Sequence, residues 1–135
     1  MIRKIRTLNI KDDPIRPELD LWWRLNKGRE IFGLFDPQLK AVVCTAKMLY
    51  VPKDIFNVRD SIGAGRVMVA YTLWSYEKGY GSKLIYYLKQ EAQNQHMKRL
   101  VTLSPLTDMA KNFHLKNGAI ELRTNKRSRN FEYKL

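Results

Sequence analysis

The chain has 135 residues, one cysteine and a formal net charge of +12, the balance of 25 lysines and arginines over 13 aspartates and glutamates. Its hydrophobic fraction of 44% excludes a disordered basic tail, and its length predicts one domain over residues 1–135. The lone Cys44 excludes an internal disulfide, and no Cys/His cluster has zinc-ligand spacing, so we expect no metal site. The charge favours a polyanionic ligand such as a nucleotide cofactor, DNA, RNA or an anionic membrane surface.

The sequence contains no pattern typical of a targeting or membrane-spanning segment. The N-terminal segment MIRKIRTLNIKDD lacks the apolar stretch of a signal peptide, and no stretch of about 18 apolar residues occurs. We therefore expect a cytoplasmic protein that does not insert into a membrane.

The apolar patterns predict strands and helices in the order β, α, β, β, β, α, β, α, β, β. The Asp36-Pro37-Gln38 turn predicts an antiparallel hairpin, and Thr107 suits the cap of a short helix. Residues 51–64 are expected to be irregular. The predicted segments are strand 2–9, helix 21–25, strands 31–35, 39–50 and 66–74, helix 83–95, strand 100–103, helix 108–116, and strands 119–122 and 130–135.

A glycine-containing loop connects the apolar strand 66–74 to the longest predicted helix. The backbone N–H groups of Gly79-x-Gly81 can approach an anion, and the helix N-terminus adds about half a positive charge, so the pattern suits a phosphate. The third glycine of a dinucleotide-binding fingerprint is missing, and Gly81-Ser82-Lys83 does not have the order of a Walker loop. Two glycines at such a turn are also ordinary turn residues, and that alternative stays open.

Two motifs give the chain a family resemblance. The loop Tyr76-Glu77-Lys78-Gly79-Tyr80-Gly81 is similar to the pattern (Gln or Arg)-x-x-Gly-x-(Gly or Ala). Thr107-x-x-Ala110-x-x-x-His114-x-x-x-Gly118-Ala119 is similar to Asn-x-x-Ala-x-x-x-Tyr-x-x-x-Gly-Phe. Both patterns, in this order, resemble those of the GCN5-related N-acetyltransferases (GNAT). The resemblance implies an α+β fold in three layers, with a mixed, mostly antiparallel central sheet and flanking helices.

The resemblance also implies a reaction and a cofactor. The activity would be transfer of an acetyl or other acyl group from acetyl-CoA, or another acyl-CoA, to an amine by direct attack in a ternary complex. Tyr76 replaces the usual Gln or Arg of the loop, and Lys78 or Lys83 would supply the missing positive charge. The cofactor-binding residues implied are Leu73, Trp74, Tyr76, Lys78, Gly79, Tyr80, Gly81, Ser82 and Lys83.

Three residues are candidates for the chemistry. His114 stands where the family places the tyrosine that protonates the departing CoA thiolate, and an ordinary histidine pKa suits proton transfer near neutrality. The alternative is a histidine packed beside Phe113 with a purely structural role. Ser104 would contact the acceptor amine or only terminate its strand, and either Ser75 or Ser104 would relay an ordered water. The general base stays open among Glu77, Asp108, His114 and such a water.

Several functions remain compatible with the sequence. The leading one is an acyl-CoA-dependent N-acyltransferase with a small-molecule or macromolecular acceptor, as a monomer or homodimer. The alternatives are a nucleic-acid-modifying acyltransferase, since the short chain also resembles acetyltransferases carried by bacteriophages, and a catalytically silent GNAT-like module that binds nucleic acid. The basic cluster in 123–129 is either a solvated loop or a phosphate-contacting patch formed by Arg123, Lys126, Arg127 and Arg129.

Overall fold

The apolar segments form a seven-stranded mixed sheet in the computed structural model, which describes residues 1–135. The order across the sheet is β1-β2-β3-β4-β5-β7-β6. Neighbours are antiparallel except β4 and β5, which are parallel. This architecture confirms the expected α+β, mostly antiparallel fold. The strands are β1 (Ile2–Lys4), β2 (Arg29–Phe35), β3 (Leu39–Met48), β4 (Val67–Ser75), β5 (Arg99–Thr102), β6 (Ile120–Thr124) and β7 (Arg129–Tyr133).

Four α-helices connect the strands, and polar side chains start three of them. Asp20, Asp54 and Thr107 each accept a hydrogen bond from the backbone N–H three residues later, which satisfies a donor that the helix itself leaves free. The longest helix instead begins after Gly79 without a side-chain cap. A 3-10 turn lies at Ile10–Asp12, and the helices are α1 (Leu21–Arg24), α2 (Ile55–Arg59), α3 (Tyr80–Asn94) and α4 (Asp108–Lys116).

Two segments differ from the sequence expectation. The first strand ends at Lys4 rather than near residue 9. The Ile5 N–H still donates to the Ile31 carbonyl at 2.9 Å, and the chain later enters the 3-10 turn, where Asn9 accepts a hydrogen bond from the Lys11 backbone. Residues 51–64 are not irregular throughout, since they contain α2. A helix of five residues is too short to show a periodic apolar pattern, and its one local signal is the capping residue Asp54.

Both faces of the sheet are covered. On one face, Leu84, Leu88 and their apolar neighbours on α3 pack against Phe32, Met68 and other sheet residues. On the other face, Val58 of α2 and the residues around α1 pack against alternate side chains of the same strands. The central strand β4 contributes to both clusters, as its continuous apolar sequence indicated. None of the helices combines the length and the apolar character that a bilayer span needs.

The middle of β4 contains an irregularity that opens the sheet. Thr45 of β3 pairs with Ala70 and Cys44 pairs with Thr72, so Tyr71 is an extra, bulged residue. On the other side of β4, the ladder with β5 ends where Ala70 pairs with Thr102. The last bond across this edge runs from the Leu103 N–H to the Ala70 carbonyl at 2.9 Å. Beyond it the C-terminal part of β4 has no strand on its β5 side.

Candidate active site

A cavity of about 540 Å³ lies where β4 and β5 separate. Its walls are the C-terminal part of β4, the segment that follows β5, α4, the start of α3 and the pair Pro14 and Ile15. The structure brings six of the sequence-predicted site residues together in its lining. They are Leu73, Trp74, Ser75, Gly81, Ser104 and His114. The other predicted residues, Tyr76, Lys78, Gly79, Tyr80, Ser82 and Lys83, lie in the loop and first turn of α3, outside this lining.

The unpaired edge of β4 presents backbone donors to the cavity. The Tyr76 N–H donates to the Lys40 carbonyl at 2.8 Å, on the β3 side. Because N–H groups alternate between the two sides of a strand, those of Leu73 and Ser75 point away from β3. The Tyr71 carbonyl also points away from β3 and accepts a 3.1 Å hydrogen bond from Arg16 Nε. Fixed N–H donors of this kind can stabilise negative charge that develops on a carbonyl oxygen.

The start of α3 can hold a phosphate. Gly79 has a left-handed backbone with φ of +90°, and no side chain caps the helix. The Tyr80 N–H donates to the Glu77 carbonyl at 3.4 Å, so the N–H groups left for an anion are those that follow in the first turn of α3. Gly81 is buried, and a β-carbon at this position would lie 2.9 Å from a ring carbon of Phe113. Lys78 and Lys83 are exposed and form no salt bridge. These features fit the pyrophosphate of a CoA thioester.

Two tyrosines of this loop are engaged with carboxylates rather than free to contact a phosphate. The Tyr76 hydroxyl donates to Asp12 at 2.8 Å, and the Tyr80 hydroxyl donates to Asp36 at 2.8 Å. Burial, together with the Asp12 hydrogen bond, raises the pKa of Tyr76, so its phenol stays protonated. The two bonds tie the loop to the 3-10 turn and to the β2–β3 turn. The Tyr76 side chain therefore anchors the loop to the 3-10 turn.

His114 is enclosed by aromatic side chains at the wall of the cavity. It is 6% exposed, and its Nδ1 lies 2.6 Å from the Tyr133 hydroxyl oxygen. Phe113 and Phe131 flank its ring. Burial lowers the pKa of His114 from 6.5 to about 4, so the ring is neutral at physiological pH. The expectation that His114 titrates near neutrality is wrong, and Tyr133 is a partner that the sequence did not reveal.

The two candidate serines have different surroundings. Ser104 is buried, its hydroxyl donates to Thr102 Oγ1 at 2.8 Å, and its backbone pairs with Arg129. Ser75 is exposed and makes no side-chain hydrogen bond to the protein. No aspartate or glutamate lines the cavity. Of the open base candidates, Glu77 is paired with Lys40 at 2.8 Å and Asp108 lies outside the lining.

A fully buried ion pair supports the cavity wall from behind. Arg24 Nη1 lies 2.8 Å from Asp13 Oδ2, and neither side chain is exposed. Asp13 Oδ1 accepts further bonds from the Thr72 hydroxyl at 2.8 Å and from the backbone of Ile15 and Arg16. These bonds fix Pro14 and Ile15 opposite β4. The sequence gives no signal for this pair, because a buried arginine on a helix looks the same as an exposed one.

No group of three or more His, Cys, Asp or Glu side chains comes together as a potential metal site.

Neither a protein-family model nor a curated protein sequence matches the chain. Solved structures do match. Malonyl-CoA decarboxylase from Rhodopseudomonas palustris superimposes with a TM-score of 0.76 and 17% identity over 100% of this chain and 60% of that one. A Bacillus subtilis acetyltransferase in complex with CoA superimposes with a TM-score of 0.70 and 12% identity over 99% of this chain and 97% of that one. The GNAT domain of PAT from S. lividans superimposes with a TM-score of 0.64 and 12% identity over 99% of this chain and 89% of that one.

The chain spans between 33% and 60% of the length of the malonyl-CoA decarboxylases that it matches. It spans nearly the full length of the Bacillus subtilis acetyltransferase. Together with the bulged and opened sheet, these matches show that the chain has the GNAT acetyltransferase fold.

Proposed function

We propose that the protein binds an acyl-CoA and transfers its acyl group to an amine. The observation that carries the proposal is the position of Gly81. This residue belongs to the uncapped first turn of α3 and also lines the cavity where β4 and β5 separate. One ligand can therefore place a phosphate at the helix N-terminus and a thioester beside the open edge of β4. The CoA named with the Bacillus subtilis neighbour supports the same class of ligand.

An acyl-CoA would supply an activated thioester carbonyl. The N–H groups of Leu73 and Ser75 would donate to its oxygen as negative charge develops there. His114 is neutral, and its Nδ1 is occupied by Tyr133, so Nε2–H is the donor left for the departing sulfur. A neutral imidazole is a weak acid, and its contribution is therefore a hydrogen bond that stabilises the thiolate. Because the cavity has no carboxylate, the amine would arrive in its neutral form, and the proton that it loses on acylation would pass to the departing thiolate, which leaves as the free thiol.

A second candidate keeps the ligand and changes the reaction. Decarboxylation of an acyl-CoA with a carboxylate on the carbon next to the thioester breaks a carbon–carbon bond, and it leaves its electron pair on the thioester as an enolate. The enolate carbon then takes a proton from water. The same β4 donors suit that oxygen, and the reaction needs no general base, which agrees with a cavity without aspartate or glutamate. The malonyl-CoA decarboxylase structures among the neighbours favour this candidate.

Binding is tested first by thermal unfolding. Saturating acetyl-CoA should raise the melting temperature, because a ligand of the native state stabilises it. The double variant Lys78→Glu/Lys83→Glu should lose most of this shift by repelling the phosphates. Lys98→Glu/Lys134→Glu is the matched control, with the same change in charge on exposed lysines outside the loop. If saturating acetyl-CoA and malonyl-CoA both leave the melting temperature unchanged, the proposal fails.

The two reactions are separated by the fate of the thiol. Acyl transfer releases free CoA, which a thiol reagent detects, and it consumes one amine for each thiol formed. Decarboxylation of malonyl-CoA releases carbon dioxide and leaves the thioester intact. Amine-dependent thiol release from acetyl-CoA with a panel of polyamines, amino acids and aminoglycosides supports the transferase. Carbon dioxide release from malonyl-CoA without thiol release supports the decarboxylase.

A further inference from the structure

A second cavity, of about 600 Å³, lies apart from the cavity where β4 and β5 separate, which we call the acyl cavity. The turn between β6 and β7 forms one wall, and the segment that leads into α2 forms the other. No residue lines both cavities. We call this second cavity the basic cleft and define it by the lining residues Lys53, Asp54, Phe56, Arg123, Lys126 and Arg127, with Thr124 and Asn125 between them.

The basic cleft concentrates positive charge around a single carboxylate, that of Asp54. Its four cations are Lys53, Arg123, Lys126 and Arg127, and none of them forms a salt bridge. The one acidic side chain, Asp54, accepts the capping hydrogen bond from the Asn57 N–H. Arg129, expected from the sequence to belong to the same patch, instead lies 3.6 Å from Glu121 and outside the cleft. The lining therefore keeps a surplus of three positive charges, which favours an anion with several charges.

The walls of the cleft are held in place by buried polar contacts. Asn130 is fully buried, and its Nδ2 donates to the carbonyls of Pro52 and Thr102 at 2.9 and 2.8 Å. Its Oδ1 accepts from Arg123 Nε at 3.0 Å. The Ser128 hydroxyl donates to the Lys53 carbonyl at 2.6 Å. Residues far apart in the chain are thus fixed as one concave surface, with Lys126 and Arg127 exposed on the turn between β6 and β7.

An exposed aromatic ring completes the cleft. Phe56 is 59% exposed although a phenylalanine normally gains stability from burial. The guanidinium of Arg59 lies 5.9 Å from the centre of its ring, which adds another cation at this edge. Basic residues that follow a phosphate backbone, together with an aromatic face that stacks on a base, are the two elements by which proteins hold single-stranded nucleic acid.

We propose that the basic cleft binds single-stranded nucleic acid, with its phosphates on the cations and one unpaired base against Phe56. This binding is a property additional to the proposed acyl transfer and does not require it. An acidic peptide offers the charges without the stacking base. A duplex keeps its bases inside the stack and cannot offer one to the ring without unstacking. Single strands therefore fit the observed combination best.

Fluorescence anisotropy with labelled twelve-nucleotide oligo(U) and oligo(dT) tests the proposal on the full chain. We expect saturable binding. The logarithm of the association constant should fall linearly with the logarithm of the salt concentration, with a slope of about −2 or steeper for three or four phosphates. A labelled hairpin duplex and a labelled polyglutamate of equal charge are the competing ligands, and both should bind more weakly. Equal or tighter binding of either one would overturn the assignment to single strands.

Variants locate the site. Lys126→Ala/Arg127→Ala should weaken oligo(U) binding by about tenfold or more, and Lys98→Ala/Lys134→Ala, with the same charge change outside the cleft, should weaken it about twofold at most. Phe56→Ala should weaken binding by about tenfold at all salt concentrations, because stacking is not screened. Phe56→Trp keeps an aromatic ring at this position and should retain the oligo(U) affinity of the unmodified protein. Equal losses in the two double variants would reduce the interaction to net charge and overturn the proposal, as would an unaffected Phe56→Ala.

The acetyl-CoA thermal shift is measured on the same variants. It should stay as in the unmodified protein, since no cleft residue lines the acyl cavity. Loss of oligonucleotide binding with the acyl-CoA shift retained establishes two separate sites. Nucleic-acid binding by a protein that shows no acyl-CoA shift would still support the cleft while contradicting the proposed transferase.

Discussion

The Nδ1 atom of His114 lies 2.6 Å from the hydroxyl oxygen of Tyr133, and both side chains are buried. Burial raises the pKa of Tyr133 and lowers that of His114, so both groups are neutral. A phenol is the better donor of the two and an imidazole nitrogen the better acceptor, and the hydroxyl is expected to donate. The proton of the neutral imidazole then resides on Nε2. Tyr133 thus acts as a positioning residue that selects the tautomer.

Tyr133→Phe tests this relationship. The variant removes the hydrogen bond and leaves Nδ1 without a partner, which should cost about 1–2 kcal/mol of stability. It also lets the proton return to Nδ1, so kcat of the acyl-CoA reaction should fall by about tenfold. The affinity for acyl-CoA should not change. Nitrogen-15 NMR of the imidazole reports the tautomer directly, and a ring that stays protonated on Nε2 in the variant would contradict the assigned role.

The low pKa of His114 makes stability depend on pH. In the unfolded chain the ring binds a proton below pH 6.5, whereas in the folded protein it does so only below about 4. The contribution of neutral His114 is therefore complete above pH 6.5 and decreases as the pH falls towards 4. The free energy of unfolding should fall by about 3 kcal/mol over that range, since each pKa unit between the two states corresponds to about 1.4 kcal/mol.

Urea unfolding at several pH values between 7 and 4 measures this loss. His114→Gln has no titrating ring, and its free energy of unfolding should fall less steeply with acidity than that of the unmodified protein. Parallel curves for the two proteins would show that the His114 ring is accessible to protons in the native state.

The buried pair of Asp13 and Arg24 should dominate the stability of the segment that closes the cavity. Arg24→Met leaves the Asp13 carboxylate buried without its cation and should destabilise the protein by about 3–5 kcal/mol. Asp13→Asn in the Arg24→Met background removes the charge and should recover part of the loss, since an amide oxygen still accepts from the Thr72 hydroxyl. Chemical denaturation of the single and double variants measures both values.

The control is an exposed ion pair. Lys4 is 62% exposed and pairs with Glu30, so Lys4→Met should change stability by less than about 1 kcal/mol. A comparable loss in Lys4→Met and Arg24→Met would mean that burial does not set the strength of the Asp13–Arg24 pair.

Gly81 is predicted to be required because a side chain at this position would collide with Phe113, and not because its backbone needs the conformational freedom of glycine. In a helix, alanine is normally more stable than glycine by roughly 0.5–1 kcal/mol. Here the added β-carbon would lie 2.9 Å from Phe113 Cε1, so Gly81→Ala should instead destabilise by about 1–3 kcal/mol and weaken acyl-CoA binding. Phe113→Leu removes the ring and should restore both properties in the double variant, a coupling that a double-mutant cycle measures. If Gly81→Ala alone stabilised the protein, α4 and Phe113 would be able to move away from the added β-carbon without a loss of stability.

The sequence was most informative where the signal is local and repeated. The apolar run of β4, the 3.6-residue stripe of α3 and the cap at Thr107 each predict an element within a few residues of its observed bounds. Gly79 and Gly81 predict the turn before α3 because glycine, which has no side chain, is typical of tight turns between a strand and a helix. Local signals of this kind depend on the nearest neighbours in the chain, and no tertiary information is needed to interpret them.

The rest of the site depends on contacts between distant residues. Nothing near His114 in the sequence indicates that Tyr133 lies against its ring or that the fold buries the imidazole, and it is this burial that lowers the pKa of His114. Lys53 and Arg123 become neighbours only because Asn130 joins their segments. Whether Arg24 is buried depends likewise on a carboxylate eleven residues away. Sheet topology, not local pattern, decides these juxtapositions.

The point where the β4–β5 ladder ends has an implication for how such a protein can diverge. The donors that face the acyl cavity are main-chain N–H groups at Leu73 and Ser75, which every amino acid except proline provides. Substitutions along this part of β4 can then reshape the cavity without removing those donors, provided that the bulge at Tyr71 persists. Selection on such a site acts on strand geometry more than on side-chain identity, and a lineage can lose recognisable sequence while it keeps the site.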